Sequence, residues 1–129
     1  TETAYGQFPI WHKDAEIRMI DLRSGRHTEM GQVNSEDTES YHSWSSNSRW
    51  FVVSSRRENG VSTLPYLVHV EEDGTTSKPV LLPQQDPDHY NFLLYSYNIP
   101  ELVKGEVDVN PYDIPHAATT DQGIQVKFR

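Results

Sequence analysis

Apolar and polar residues alternate along most of the chain with a period of two, in runs too short for helices and closed by turn residues. The first run covers residues 16–22 and ends at Arg23-Ser24-Gly25, where a glycine can supply the positive φ of a tight turn. Residues 26–30 read as its polar return strand. The stretch Trp50–Ser55 is the most apolar run and is expected to be a central strand buried on both faces. Residues 66–71 come next, closed by Glu72-Asp73-Gly74, with residues 78–82 as the return. Two further strands are expected at residues 92–97 and 124–128, the last with Ile124, Val126 and Phe128 alternating against Gln125 and Lys127. Eight Pro and seven Gly punctuate the chain, and no window keeps an i, i+3, i+4, i+7 apolar pattern for three turns. Residues 31–38 and 84–88 read as polar connections. Pro100 is placed to open one short helical turn ahead of Glu101, Leu102 and Val103, and residues 108–123 read as irregular. The pattern predicts an all-β fold.

Two of these units can be superimposed as sequence. Residues 17–25 (IRMIDLRSG) lie over residues 67–74 (LVHVEEDG), each an alternating strand, an acidic turn and a closing Gly. The offset is about 50 residues, a period that belongs to propellers and other repeat arrays. Composition narrows the function. Apolar residues are only 35% of the chain, so three Trp, seven Tyr and four Phe must supply much of the core. The net charge of −8, from 19 acidic and 11 basic residues, opposes a phosphate backbone and an anionic membrane surface. Without cysteine there is no disulfide, thiol chemistry or thiolate metal site. No apolar run approaches the roughly 20 residues that a membrane-spanning helix needs. Position 1 is Thr and the opening residues lack the pattern of a signal peptide, so a processed chain or part of a longer one is expected.

The segment YHSWSSNSRWFVVSSRRENG, residues 41–60, resembles the WD40-like repeat of the TolB β-propeller family. Trp44-Ser45 matches the start of that repeat, and Ser46-Asn47-Ser48-Arg49 stands where the family has Pro-Asp-Gly-Lys. Trp50–Ser55 matches its apolar strand with a terminal Ser, and Arg57 and Gly60 fit the turn beyond it. The match spans residues 16–83. The remaining residues, 84–129, form a C-terminal extension in which Tyr90-Asn91-Phe92 through Leu102 is similar to the end of TolB-like proteins of the Bacteroides type. The resemblance implies a partial propeller of about one and a half antiparallel blades, with Trp44 largely buried between neighbouring sheets. A closed ring takes at least four blades of roughly 40 residues, so this chain is expected to be a C-terminal piece of a longer protein.

Candidate chemistry is sparse. Six histidines (His12, His27, His42, His69, His89 and His116) show no metal-ligand spacing, although His42 and His69 are placed to fall on adjacent strands. Asp86-Pro87-Asp88-His89 offers oxygen ligands at i and i+2 but lacks the remainder of a calcium loop. Neither a Gly-x-Ser-x-Gly elbow nor a glycine-rich phosphate loop is present. Arg56-Arg57-Glu58 reads as a solvated charged turn. Tyr90, Phe92, Tyr95, Tyr97 and Tyr112 read as an aromatic tail that folds back over an open sheet, the other use of such rings being to stack on sugars or grip a peptide.

No catalytic, cofactor-binding or metal residue is therefore assigned, and no cofactor is expected. The resemblance implies a non-catalytic scaffold for protein–protein interaction in the periplasm, with an unidentified protein partner, no nucleic acid and no membrane insertion. The alternative is an accessory propeller domain of a carbohydrate-active or peptidase enzyme, with catalysis elsewhere. A blade cut from its ring leaves sheet faces and edges open, so a homodimer formed through blade edges or exchanged strands is also expected.

Overall fold

The computed structural model describes residues 8–120. Two antiparallel sheets make an all-β domain. The first is a hairpin of β1 (Arg18–Ile20) and β2 (His27–Glu29). The second is a four-stranded meander, β3 (Glu39–Trp44), β4 (Trp50–Ser55), β5 (Leu64–His69) and β6 (Val80–Leu81), ordered in space as in sequence. Short 3-10 turns lie at Pro9–Trp11 and His89–Phe92, and a helix, α1, spans Asp113–Thr119. The strand expected at residues 124–128 lies outside the described residues.

The expected central strand is β4, flanked by β3 and β5. Its residues alternate between the two faces of the sheet. Phe51, Val53 and Ser55 point one way, opposite Val68, Tyr66 and Leu64 on β5. Together with Met30, Val33 and Val70 the apolar members of this set form the buried core, and Ile17 and Met19 of the hairpin side pack onto it. The hairpin covers this first face together with the C-terminal residues Tyr90, Leu93 and Tyr97. Val52 and Ser54 point the other way, and the C-terminal chain meets Ser54 there. Ser54 Oγ donates to the carbonyls of Tyr97 at 2.7 Å and Asn98 at 3.1 Å. Farther along, Ser43 Oγ accepts from the Leu102 amide at 3.0 Å. Tyr90, Leu93 and Tyr97 pack against the core cluster.

Turn chemistry sets the strand boundaries. Asn47 Oδ1 accepts from the Ser45 hydroxyl at 2.7 Å and the Arg49 amide at 3.1 Å. Ser48 adopts φ 56°, a left-handed conformation, at the position where the resembling repeat carries glycine. Gly25 and Gly74, the closing residues of the two superimposed units, have φ of 69° and 85°.

Several expectations need correction. Trp44 is 42% exposed rather than largely buried. The hairpin facing it has three-residue strands, too short to cover the end of β3, and leaves a cavity of about 170 Å³ over the ring. The strand β3 is absent from the sequence expectation, because a bulge between Ser40 and His42, with Tyr41 at φ 44°, breaks its period of two. Residues 92–97 are not a strand. An Asx turn at Asp86 and the Asn91–Asp88 bonds curl the chain ahead of the aromatic run into the 3-10 turn, and no partner strand among the described residues faces that run. Residues 100–103 are not helical, and the one α-helix of the described residues lies in the stretch expected to be irregular, after Asn110-Pro111. Its first turn is set by Asn110, whose Oδ1 accepts from the Tyr112 amide at 3.0 Å.

The sheet edges are guarded rather than open. The bulge interrupts the outer edge of β3, and the amide of Glu39 at its start is taken by the Ala15 carbonyl at 2.8 Å. On the other side β6 has two residues and sits between Pro79 and Pro83. Both devices discourage edge-to-edge pairing.

Candidate interaction site

The polar candidates resolve into structural roles. His42 and His69 are separated by β4 and point to opposite faces of the sheet, so they do not meet. His69 instead stacks near Trp50, with ring centroids 4.7 Å apart, and its Nδ1 lies 3.2 Å from Glu71. Asp86 and Asp88 use their oxygens on nearby backbone and on Asn91, and His89 Nε2 lies 3.0 Å from the Tyr97 hydroxyl. His12 lends its carbonyl to Thr38, while His27 and His116 are exposed. Among the described residues no group of three or more His, Asp or Glu is placed to hold a metal ion.

The arginine pair departs most from its sequence reading. Arg57 is four-fifths buried and closes on Glu39, whose side chain has no exposed surface; the ion pair measures 3.0 Å. The same Glu39 oxygen accepts from Ser35 Oγ at 2.6 Å and Ser55 Oγ at 2.8 Å, and the other accepts from the Ser35 amide at 2.9 Å. Arg57 also donates to the Val33 carbonyl and lies over the Tyr66 ring, 4.6 Å from its centroid. Tyr66 donates to Glu58 at 2.6 Å, and burial, reinforced by that bond, pushes its hydroxyl well above the usual tyrosine range. Arg56 donates to the carbonyls of Ile10 and Gly60 and faces Asp37 at 3.9 Å. These groups are consumed in tying loops to the sheet, and leave no free base or anion clamp among them.

The aromatic tail divides. Tyr90 and Tyr97 turn inward, Tyr90 donating to the Leu82 carbonyl at 2.6 Å. Burial, with bonding from Tyr95, pushes Tyr97 up to about 12. Phe92, Tyr95 and Tyr112 are exposed.

The feature with the shape of a binding site lies elsewhere, between two segments pinned side by side at one end of the sheet. Residues 8–15 are held by Thr38 Oγ1 on the His12 carbonyl at 2.6 Å, by Glu39 on Ala15, and by Arg56 on Ile10. Residues 96–99 are held by Ser54 and by Thr63, whose hydroxyl donates to Asn98 Oδ1 at 2.9 Å. Between them runs a groove of two adjoining cavities that share Ile10, Trp11 and Asn98. The larger, about 760 Å³, is apolar, with Phe8, Trp11, Tyr41 and Ile99 in its walls. The smaller, about 330 Å³, is more polar and holds Arg56, Thr63 and Ser96. Trp11 is 78% exposed and Phe8 62%, large rings left in water. The sequence reading missed this groove. Its local signal was the apolar quartet Phe8-Pro9-Ile10-Trp11, but its opposite wall comes from residues far along the chain.

A second opening, about 580 Å³, lies between the β1–β2 turn and the turn after β5. Its walls mix Asp21, Glu29, Glu72 and Asp73 with Arg23 and Arg26. Asp21 is held below the usual carboxylate range by the Ser24 hydroxyl and then the Arg23 amide, and Asp73 by the Thr75 amide and hydroxyl. These bonds belong to the turns themselves.

No family model, no curated protein and no solved structure matches the chain.

Proposed function

We propose that this chain is a blade and a half of a TolB-like β-propeller and acts as a non-catalytic scaffold for protein–protein contact in the cell envelope. The observation that carries the reading is the meander β3-β4-β5-β6, a four-stranded antiparallel unit in sequential order with the preceding hairpin packed on its face. In this reading the meander is one blade and the hairpin is the outer half of its neighbour. The left-handed Ser48 and the paired glycine turns at Gly25 and Gly74 support the same repeat. Trp44, half in water, lends it nothing. The exposed aromatic groove supports a protein partner over a small substrate, since its walls offer rings and aliphatic side chains but few free polar groups. The periplasmic setting rests on the family resemblance alone.

Two measurements test the proposal. The complete reading frame that contains this chain should encode further four-strand units at intervals of about 50 residues. A frame without them would dismiss the blade assignment, and a frame joining the chain to a hydrolase domain would favour an accessory role. The purified chain should also show no turnover on ester, glycoside or peptide substrates; activity abolished by a single substitution would end the scaffold reading.

A further inference from the structure

The turn between β4 and β5 carries Asn59-Gly60, the one Asn-Gly pair of the chain. An asparagine side chain and the backbone nitrogen that follows it can close a five-membered ring, and a side chain on the next residue hinders the approach. Gly60 offers no such hindrance, whereas the other five asparagines precede Ser, Phe, Ile or Pro. Asn59 is exposed, and its Nδ2, the leaving group of such a closure, has no hydrogen-bond partner among the described residues. The one Asp-Gly pair, Asp73-Gly74, does not compete. The Thr75 amide and hydroxyl favour the ionised Asp73 carboxyl, and a carboxylate is a poor electrophile.

Three hydrogen bonds oppose ring closure in the folded turn. The Gly60 amide, which holds the attacking nitrogen, donates to the Arg56 carbonyl at 2.8 Å. Asn59 Oδ1 accepts from the Val61 and Ser62 amides at 2.9 Å and 2.8 Å, which fixes the side chain against them. Arg56 ties the same turn to the aromatic groove, since its guanidinium donates to the carbonyls of both Gly60 and Ile10. Gly60, at φ 67°, also lies close against Asp37, whose carboxylate would stand 3.3 Å from an added Cβ. The nitrogen of a closed imide carries no hydrogen, so the imide and the Gly60–Arg56 bond exclude one another. Ring closure therefore requires the turn to open first.

We infer that Asn59 is a deamidation site gated by opening of residues 56–62, and that its isoaspartyl product loosens the Ile10 wall of the aromatic groove. In the opened turn the Gly60 nitrogen loses its proton to solvent base and bonds to Asn59 Cγ. Nδ2 takes up a proton and leaves as ammonia. Water then opens the imide. Opening at Cγ gives aspartate; opening at the main-chain carbonyl of residue 59 gives isoaspartate, with the backbone running through Cβ and Cγ. Either product replaces a neutral amide by a carboxylate, and isoaspartate also lengthens the backbone by a methylene. Both changes fall one residue from the carbonyl that Arg56 holds. The inference does not depend on the blade reading, because turn, clamp and groove all lie within the described residues.

The test is to age the full chain at mildly alkaline pH, native and in urea, and to follow Asn59 by peptide mass and enzymatic methylation of isoaspartate. Conversion should be at least ~10-fold slower in the native chain than in denaturing urea. The native rate should climb through a series of sub-denaturing urea concentrations. It should also rise several-fold in Arg56→Ala, which removes both side-chain ties; if that variant fails to fold, the urea series on the unaltered chain decides. Asn59→Gln, which has a larger ring to close, should show no conversion at this position. Isoaspartyl chains separated by chromatography should exchange the amides of Trp11, His12 and Ala15 faster, with the amides of β4 unchanged. Equal rates in the native chain and in urea, or a native rate indifferent to sub-denaturing urea, overturn the gate. No conversion in urea overturns the site. Unchanged exchange at residues 11–15, or protection lost across β4 as well, overturns the link to the groove.

Discussion

Glu39 gathers three parts of the chain. Its carboxylate holds Ser35 of the preceding loop, Ser55 at the end of β4 and Arg57 beyond it, and Arg57 carries the link to Val33 and Tyr66. Removing one member of a buried ion pair leaves the other charge uncompensated, at a cost of about 3–5 kcal/mol. Arg57→Ala is therefore expected to lower urea-measured stability by that amount, more than its position beside an exposed turn would indicate. Trp44→Ala provides the contrast. Its ring meets Phe51 at 5.1 Å but is open to solvent on the other side, so a loss of about 1 kcal/mol is expected, against ~3–5 for Phe51→Ala. Tyr97 gives a pH signature. Its pKa is raised in the folded protein from 10.0 to about 12, so the folded state retains a proton that the unfolded state releases. The associated stability is complete below pH 10.0 and is lost as pH rises toward about 12. Melting temperature should fall across that interval, and Tyr97→Phe should flatten the fall.

Turns and strands were legible in proportion to how local their causes are. Trp50–Ser55 declares itself by composition, and the glycine turns by the backbone conformation that only glycine adopts easily. Ser48 is the exception that tests this rule. An L-residue in the left-handed region is strained by about 1–2 kcal/mol, and glycine relieves it at some cost in chain entropy. Ser48→Gly should thus raise stability by roughly 0.5–1 kcal/mol in a denaturant titration. The strand β3 was illegible because its irregularity is intrinsic to it: one extra residue at Tyr41 flips every later side chain relative to a period-two count. The aromatic run 92–97 misled for the opposite reason. Its composition suits a strand, but Leu94 and Phe92 face water and the turn-forming Asp86 and Asp88 decide the backbone. Only one wall of the groove had a signal in the sequence, the quartet Phe8-Pro9-Ile10-Trp11, since Trp11, Tyr41 and Ile99 become neighbours only when the segments that carry them are pinned to the same end of the sheet.

The molecule as a whole is a sheet whose core face is covered by the N-terminal hairpin with Tyr90, Leu93 and Tyr97, and whose other face meets the C-terminal chain at Ser54. Ending the chain after Gln84 would strip Ser54 of its partners and remove Tyr90, Leu93 and Tyr97 from the core cluster. Such a variant should lose its cooperative thermal transition and bind a hydrophobic dye, while the full chain does neither. The order of synthesis gives this arrangement a temporal side. The strand pairs of the meander join neighbours in sequence, and hairpins form in about 1–10 μs once their residues are available. The cover must wait for residues 97–102, and at ribosomal speed the chain from Leu81 to Leu102 takes about 1–4 s to appear. For that interval, some five orders of magnitude longer than the folding event itself by these rates, the nascent sheet has an open apolar face. Aggregation during expression is then governed by translation speed across residues 82–102 and by chaperone supply, and not by the stability of the finished fold.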